Sequence, residues 1–262
     1  MADLPPLQRL RRFTADDLPC KICGGAARVL GGHDFNRSCE EVRGKFLPSA
    51  GLLVVYRRCG DCGFLFTDAF DDWSPEDFAQ AIYNDGYSAV DPDYDTVRPQ
   101  ANAQMILKTF ANLAGRLAAL DYGGGNGVLA GELRKAGFTV AETYDPFTPA
   151  HSVRPERRYN LVTCFEAMEH MPDPVTGAAD IASFLDDDGV IVFSTVTQPD
   201  VFDVVGMRWW YIGPRNGHIS LHTRESLRRM WAKIGLTAFS LSASLHVAYR
   251  KPPSFVQFAG GT

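Results

Sequence analysis

Short apolar runs alternate with amphipathic stretches from about residue 116 to the end of the chain, a pattern typical of α/β proteins with a parallel sheet. The apolar runs predict strands at 118–121, 138–144, 159–165, 189–195, 236–241 and 246–249. Apolar residues at helical spacing predict helices at 128–136, 174–185 and 223–234. We expect the last two strands to form an antiparallel hairpin that closes the sheet.

The first 115 residues have a different pattern. Strands are predicted at 52–58 and 64–67, and a helix is predicted to begin after Ser74-Pro75, where an N-cap residue precedes a proline. A longer amphipathic helix is predicted over 99–114. These patterns divide the chain into an arm and ribbon (1–70), a helical connector (71–115) and a Rossmann-like cofactor-binding domain (116–262).

Charge and composition narrow the class of partner. The chain has 262 residues, a formal net charge of −5 and a pI near 5.7, which argues against nucleic acid or an anionic membrane. No apolar run approaches the ~18 residues that span a bilayer. Residues 1–12 lack the apolar core of a signal peptide. We therefore expect a soluble cytoplasmic protein that acts on a small molecule, and nothing in the sequence indicates an oligomer.

A glycine-rich turn follows the first predicted strand of the cofactor-binding domain. Its special residues are Asp121, Gly123, Gly124, Gly125 and Gly127. Glycines allow positive φ and the close approach of a ligand, and the next helix offers free N–H groups. The dinucleotide pattern G-x-G-x-x-G/A fits only if it begins at Gly125, whereas the pattern acidic-x-G-x-G-x-G uses Asp121 and three of the glycines. A merely flexible loop is the remaining alternative.

Four of the six cysteines form two C-x-x-C pairs, each followed by glycine: Cys20 with Cys23, and Cys59 with Cys62. Two such pairs supply four thiolates to one structural zinc ion. The long separation between the pairs implies an inserted hairpin. Redox chemistry by a single pair is the rival hypothesis. Cys39 is a weaker candidate ligand, and Cys164 is expected in the core.

Asp145 ends the second predicted strand of the domain. In parallel α/β sheets, ligands lie beyond the carboxyl ends of the strands. A carboxylate at this position can accept hydrogen bonds from both ribose hydroxyls of an adenosyl cofactor. Asp145 therefore supports nucleotide binding without choosing between the two cofactor classes, and a simple turn aspartate before Pro146 is the alternative.

Two further stretches carry a family resemblance. The segment Glu166-x-x-Glu169-His170, directly after a strand, and the segment Gly217-His218 … Thr223-x-Glu225-Ser226-Leu227 resemble class I S-adenosylmethionine-dependent methyltransferases. The chain is similar to a bacterial subgroup with an N-terminal cysteine ribbon that acts in sugar, polysaccharide or secondary-metabolite pathways. The resemblance covers residues 20 to about 250.

The resemblance implies a function and a cofactor site. The glycine turn would wrap the methionine and ribose portions of S-adenosylmethionine, and Asp121 would hold the methionine amino group. A methyl group would pass to an oxygen, or secondarily a carbon, of a small acceptor, which leaves S-adenosylhomocysteine. Only 13 residues separate Asp145 from Tyr159, too few for the family's usual helix and third strand. Phe147 is therefore the candidate adenine wall, and Phe165 is assigned to the cofactor contacts.

Three histidines near predicted strand ends are candidate general bases: His170, His218 and His222. Glu169 is assigned to orient His170 or to bind substrate. Each histidine alone is more often a structural hydrogen-bonding group than a base.

An aromatic and basic stretch precedes the last two histidines. Trp209, Trp210 and Tyr211, with Arg208 and Arg215, predict either a core cluster or a wall for a sugar ring with arginines for a phosphate. The latter suggests a nucleotide-linked sugar. A nicotinamide-dependent oxidoreductase and a non-catalytic cofactor-binding interaction module are the alternatives to a methyltransferase.

Overall fold

A computed structural model describes residues 5–256 of the chain. The strands are β1 Leu18–Pro19, β2 Ala26–Asp34, β3 Leu53–Cys59, β4 Leu65–Phe66, β5 Ala118–Tyr122, β6 Val140–Tyr144, β7 Tyr159–Cys164, β8 Leu185–Ser194, β9 Ser220–Leu221, β10 Thr237–Ser240 and β11 Leu245–Tyr249. The α-helices are α1 Pro75–Ala81, α2 Val97–Phe110, α3 Val128–Lys135, α4 Pro174–Ser183, α5 Phe202–Val205 and α6 Arg224–Lys233.

The larger sheet has six strands in the order β10-β11-β8-β7-β5-β6. Strands β6, β5, β7 and β8 are parallel, and β11 runs antiparallel to β8 and to β10. This mixed sheet confirms the predicted Rossmann-like α/β class with its terminal antiparallel hairpin. The carboxyl ends of β5, β6 and β7 therefore lie at one edge, where a ligand is expected.

Helices cover both faces of this sheet, which is why its strands are nearly continuous apolar runs. Neighbouring residues of one strand enter different cores: Leu120 packs with Trp231 of α6, whereas Ala119 packs with Leu129 of α3 and Phe110 of α2. The alternation follows from the two-residue repeat of a strand. The two cores hold the ends of β5, β6 and β7 in a fixed relation.

The third strand of the usual methyltransferase sheet has no counterpart between β6 and β7. The structure has only a short 3₁₀ turn there, Pro149–His151. Strand β6 is consequently an edge strand. The shortening predicted from the 13-residue spacing is thus confirmed, and the turn brings His151 beside the glycine loop, where a Cβ on Gly127 would lie 3.0 Å from His151 Nε2.

The smaller sheet has the order β1-β2-β3-β4-β9 and is antiparallel throughout. Strands β2 and β3 form the hairpin predicted between the cysteine pairs, with a register shift between Val29 and Gly31. Its last strand, β9, comes from far along the chain and pairs Leu221 with Leu65. The cysteine-bearing sheet therefore includes a strand that follows most of the larger sheet in sequence.

Element boundaries differ from the predictions where polar residues occur within strands. Strand β8 begins at Leu185 rather than at residue 189, since Leu185 pairs with Tyr159 before a register shift. Helix α6 begins after Thr223, whose side chain and that of Ser226 cap each other's backbone N–H groups. None of the helices within residues 5–256 combines the length and the apolar character needed to cross a bilayer.

Candidate active site

The glycine turn after β5 requires glycine at several positions. Gly123, Gly125 and Gly127 have φ of +70°, +52° and +75°, a region that residues with a Cβ rarely adopt. Gly127 is also the N-cap of α3, so the turn delivers the free N–H groups of that helix to the ligand edge of the sheet. The local conformation therefore matches the order of strand, glycine turn and helix predicted from the sequence.

Asp121 lies directly beneath this turn. A Cβ on Gly124 would lie 2.2 Å from Asp121 Oδ2, so only glycine fits over the carboxyl group. Thr163 donates a hydrogen bond of 2.7 Å to Asp121 Oδ1. Burial raises the pKa of Asp121 to about 7, against the lowering effect of Thr163 and with a further increase from Asp145. The carboxyl group is thus poised to ionise when a cation approaches.

Asp145 braces the same turn from the end of β6. Its Oδ2 accepts the Gly125 N–H at 2.9 Å and its Oδ1 accepts the Phe147 N–H at 2.8 Å. The residue is buried. Each carboxylate oxygen has a second lone pair, so both remain able to accept a ligand hydroxyl.

The aromatic residues assigned to the cofactor are in different places. Phe147 is 52% exposed, and its ring centroid lies 6.1 Å from that of Tyr83. Tyr83 in turn lies 5.8 Å from the ring of His170, which connects the glycine-loop side with the histidines. Phe165, in contrast, is buried in the core that contains Leu129. The structure therefore leaves Phe147 available to a ligand and encloses most of Phe165.

His170 and His218 form a pair, with ring centroids 5.1 Å apart. His170 Nδ1 is 3.0 Å from the carbonyl oxygen of Gly217, and His218 Nδ1 is 2.8 Å from that of Tyr211. A carbonyl oxygen only accepts, so each Nδ1 carries the proton and each Nε2 has a free lone pair. Burial lowers the pKa of His170 and lowers that of His218 well below its usual value. Both rings are neutral proton acceptors at neutral pH.

Glu169 lies behind this pair and is fully buried. Its Oε1 accepts a hydrogen bond from the Tyr211 hydroxyl, and burial raises its pKa. Glu169, His170 and His218 each offer a ligand atom within 4.8 Å of the others, close enough for these residues to hold a cation together.

The structure does not bring His222 to this pair. Its side chain is fully buried, with its ring centroid 4.9 Å from that of Phe64, which directly precedes β4. Burial lowers the pKa of His222 to about 3. The expectation that His222 is a candidate general base is therefore wrong: strand β9 pairs with β4 and carries this residue into the interface between the two sheets.

A cleft of about 290 Å³ opens beside His218. Carboxylates, arginines, two aromatic side chains and Cys39 line it. They include Glu40, Arg43, Asp91, Asp93, Arg98, Glu166, Trp210 and Tyr211. Sequence reasoning assigned no site role to the charged residues of this set. Gly123 connects the cleft to the cofactor loop, because a Cβ on Gly123 would lie 3.4 Å from the Cβ of Ala167, next to Glu166.

The aromatic stretch divides between core and surface. Trp209 and Tyr211 are buried, whereas Trp210 is 44% exposed. Trp210 and Tyr211 both line the cleft. Arg215 is buried and donates to the carbonyl of Ile82 at 2.9 Å. Arg208 is exposed and holds the carbonyl of Val204 at 2.8 Å. Neither arginine lines the cleft, so the pair that suggested a phosphate-bearing acceptor does not support one there.

The four paired cysteines form one cluster, with all four sulfur atoms within 4.8 Å of one another. Cys20 Sγ lies 3.7 Å from Cys62 Sγ, and Cys23 Sγ lies 3.4 Å from Cys59 Sγ. Four thiolates around a tetrahedral zinc ion, at Zn–S distances of about 2.3 Å, are separated by roughly 3.8 Å. The two measured sulfur–sulfur distances are near this value, and the four thiols form a candidate site for a tetrahedral metal ion.

Glycines shape both cysteine turns. Gly24 and Gly63 have φ of +79° and +70° and donate their N–H groups to the carbonyls of Cys20 and Cys59 at 2.9 and 3.1 Å. Backbone N–H groups also point at sulfur, as that of Asp61 does toward Cys59 Sγ at 3.4 Å. Such N–H groups stabilise negative charge on a metal-bound thiolate.

Comparison with known proteins agrees with this geometry. A family model described as a methyltransferase domain matches residues 94–241. The chain belongs to this family. The match confirms the resemblance to class I S-adenosylmethionine-dependent methyltransferases that the motifs indicated.

Individual proteins match the chain with low sequence identity and over only part of its length. Ubiquinone biosynthesis O-methyltransferases from Salmonella paratyphi A and Actinobacillus pleuropneumoniae are 28% and 26% identical to the chain. Each match covers 30% of this chain and 42% or 45% of the relative, so it spans less than half of either relative's length. An O-methyltransferase family protein from Burkholderia thailandensis has a similar fold, with a TM-score of 0.51 and 12% identity, over 68% of this chain and 63% of that one.

Proposed function

We propose that this protein transfers a methyl group from S-adenosylmethionine to a hydroxyl of a small acceptor. The supporting observation is that the glycine turn, the proposed cofactor site, lies next to the histidine pair and its cleft, the proposed acceptor site. The glycine turn with Asp121 and Asp145 lies against the segment that carries His170, and this histidine pairs with His218 at a cleft. The O-methyltransferase relatives favour oxygen as the acceptor atom, with carbon as the second choice.

Different residues have different roles in the in-line displacement of the methyl group. S-adenosylmethionine supplies an electrophilic methyl group on a sulfonium, and its leaving group is a neutral thioether. Asp121 and Asp145 hold the amino and ribose groups, so the protein's main task is alignment. The Nε2 of His170 or His218 accepts the proton of the acceptor hydroxyl as the oxygen–methyl bond forms. Glu169 holds Tyr211, whose carbonyl orients His218.

Asp121 should make cofactor binding dependent on pH. Its pKa is about 7 in the folded chain, and its carboxylate form attracts the cofactor's amino group. We expect the affinity for S-adenosylhomocysteine to rise roughly tenfold between pH 6 and pH 8 as this group ionises. Isothermal titration calorimetry across this range measures the change, and Asp121→Asn should flatten it and weaken binding at pH 8.

Stability should respond to pH in the opposite sense. The pKa of Asp121 is raised above its ordinary value of 3.8, so the folded state retains a proton that the unfolded chain loses. The contribution of this group to stability is present below about pH 4 and is lost as pH rises to about 7. Asp121→Asn should therefore raise the melting temperature at pH 8. If Asp121→Asn bound S-adenosylhomocysteine normally at every pH, the proposed role of Asp121 in cofactor binding would be contradicted.

Replacing either histidine of the pair should impair turnover. We expect the variant that removes the base, His170→Ala or His218→Ala, to lower kcat by about 10²–10⁴-fold, the usual contribution of a general base, and the other variant to lower it less. Neither should change S-adenosylhomocysteine affinity much. His222→Ala is the matched control: its ring packs on Phe64, so it should lower the melting temperature more than the turnover. Full turnover by both His170 and His218 variants would exclude base catalysis by this pair.

Calorimetry with S-adenosylhomocysteine and with NAD separates the proposed function from a nicotinamide-dependent oxidoreductase. We expect binding heat with the first ligand only. A screen of acceptors with isotopically labelled methyl donor, read by product mass, then identifies the methylated atom. Binding of the adenosyl ligand without any methylated product would favour the non-catalytic binding module.

We also propose that the cysteine cluster holds one structural zinc ion.

A further inference from the structure

We propose that the part of the acceptor that occupies the cleft is a hydroxyl-rich ring with a positively charged substituent, in chemical class an amino sugar, and that Glu166 binds this charge. The proposal rests on the proposed methyl-transfer function and names the substrate class of the same site. Three independent features of the cleft support it: the balance of its charges, the geometry of Glu166, and the exposed face of Trp210.

Carboxylates outnumber cations in the cleft lining. Four acidic side chains face two basic ones: Glu40, Asp91, Asp93 and Glu166 against Arg43 and Arg98. With Lys45, which binds Glu40 from outside the lining at 2.8 Å, the count is still four to three. An anionic ring would therefore enter a region of net negative charge, whereas a cation would be attracted.

The two cleft arginines are already engaged by carboxylates. Arg43 Nη1 lies 2.9 Å from Glu40 and 3.6 Å from Asp93. Arg98 makes a two-bond pair with Asp91, one bond of which measures 3.1 Å. A carboxylate or phosphate on the acceptor would have to displace these partners. The cleft thus has no arginine ready for an anion among the residues that the structure describes.

Glu166, like Asp93, has no cation within hydrogen-bond distance. Its Oε2 lies 3.7 Å from Arg98 Nη1, beyond hydrogen-bond distance, and that arginine is already bound to Asp91. Ser194 holds the other side of the group: its Oγ donates to Glu166 Oε1 at 2.7 Å and accepts the Glu166 N–H at 2.9 Å. One carboxylate oxygen is fixed by the protein, and the second remains for a ligand.

The backbone of Glu166 is strained in a way that favours a functional role. Its φ of +52° makes it the only non-glycine residue with positive φ among residues 5–256. Such a conformation is unfavourable for a residue with a Cβ and is commonly retained at active sites and ligand-binding sites. Here it follows the end of β7, where the chain turns from the sheet into the segment of His170.

Trp210 provides the surface for a ring. It is 44% exposed and lines the same cleft as Glu166. An indole face packs against the apolar face of a sugar ring and also attracts a nearby ammonium group. Trp210 is thus suited to a cationic sugar.

The test compares matched ring probes on the full chain saturated with S-adenosylhomocysteine. We expect glucosamine to bind at least tenfold more tightly than N-acetylglucosamine, which has the same ring without the charge, and glucuronate and UDP-glucose to bind more weakly than both. Glu166→Gln should remove the preference for glucosamine while leaving S-adenosylhomocysteine affinity unchanged. Glu76→Gln, which removes an exposed carboxylate of α1, is the control for net charge.

Each other outcome contradicts the proposal. Tighter binding of glucuronate or UDP-glucose would show that the cleft accepts anions, and an unchanged preference in Glu166→Gln would remove Glu166 from recognition. If S-adenosylhomocysteine bound but none of the ring probes did, the amino-sugar class would be excluded and the proposed methyl-transfer function would not be affected. Failure of S-adenosylhomocysteine itself to bind would instead contradict the proposed function, so the two failures are distinguishable in one titration series.

Discussion

Replacing Asp145 with alanine should weaken S-adenosylhomocysteine binding about 100-fold or more. The change removes a buried carboxylate that accepts the N–H groups of Gly125 and Phe147, and it removes the acceptors proposed for the ribose hydroxyls. Hydrogen bonds to a charged group contribute about 1.5–3 kcal/mol each, and a 100-fold loss corresponds to roughly 2.7 kcal/mol. Isothermal titration calorimetry measures the affinity directly.

Two variants make the result specific. Asp145→Asn retains one acceptor oxygen and should lose less affinity than the alanine variant. Asp187→Ala removes an exposed carboxylate whose nearest cation, Arg158, is 3.9 Å away, and it should leave binding unchanged. An Asp145→Ala protein with normal affinity would mean that the adenosyl group binds away from the end of β6.

The sequence predicted the conformation of the glycine turn because its determinants are local. Asp121 and the glycines after it lie within seven consecutive residues, and their conformation follows from strand, turn and helix propensities in that segment. Asp145 required only the rule that parallel strands end at one edge. The cysteine cluster could be predicted for a similar reason, since the spacing of each pair and the following glycine determine the turn.

The cleft beside His218 was harder to predict from the sequence because it is assembled from distant segments. Cys39–Arg43, the connector around Asp91, the residues after β7 and the loop before β9 all contribute to the cleft. Neighbours in sequence also separate: Trp210 is exposed while Trp209 and Tyr211 are buried. Periodicity does not reveal such pairings between segments. Glu166 stood within a recognised motif, but only its positive φ distinguishes it from other strand-end acids.

Replacing Cys59, one of the four proposed zinc ligands, should destabilise the whole protein. The cysteine cluster shares a core with the larger sheet: Cys59 and Phe64 pack in the same cluster as Trp231 of α6. Thr223, the N-cap of that helix, also donates to the Cys62 carbonyl at 2.6 Å. We expect Cys59→Ser to lose the metal and at least ~3 kcal/mol of stability, or about 6–12 °C in Tm for a chain of this size. Calorimetry and metal analysis measure both.

Because the two sheets share a core, the number of thermal unfolding transitions also tests the zinc proposal. Because the smaller sheet includes β9 and packs on α6, metal loss should lower a single cooperative transition rather than separate an early melting ribbon from a stable remainder. A strong chelator should reproduce the effect in the unmodified chain. Cys39→Ser, which changes a thiol outside the cluster, should retain about one zinc ion per chain. An unchanged melting curve for Cys59→Ser, with no metal in the unmodified protein, would contradict the zinc assignment.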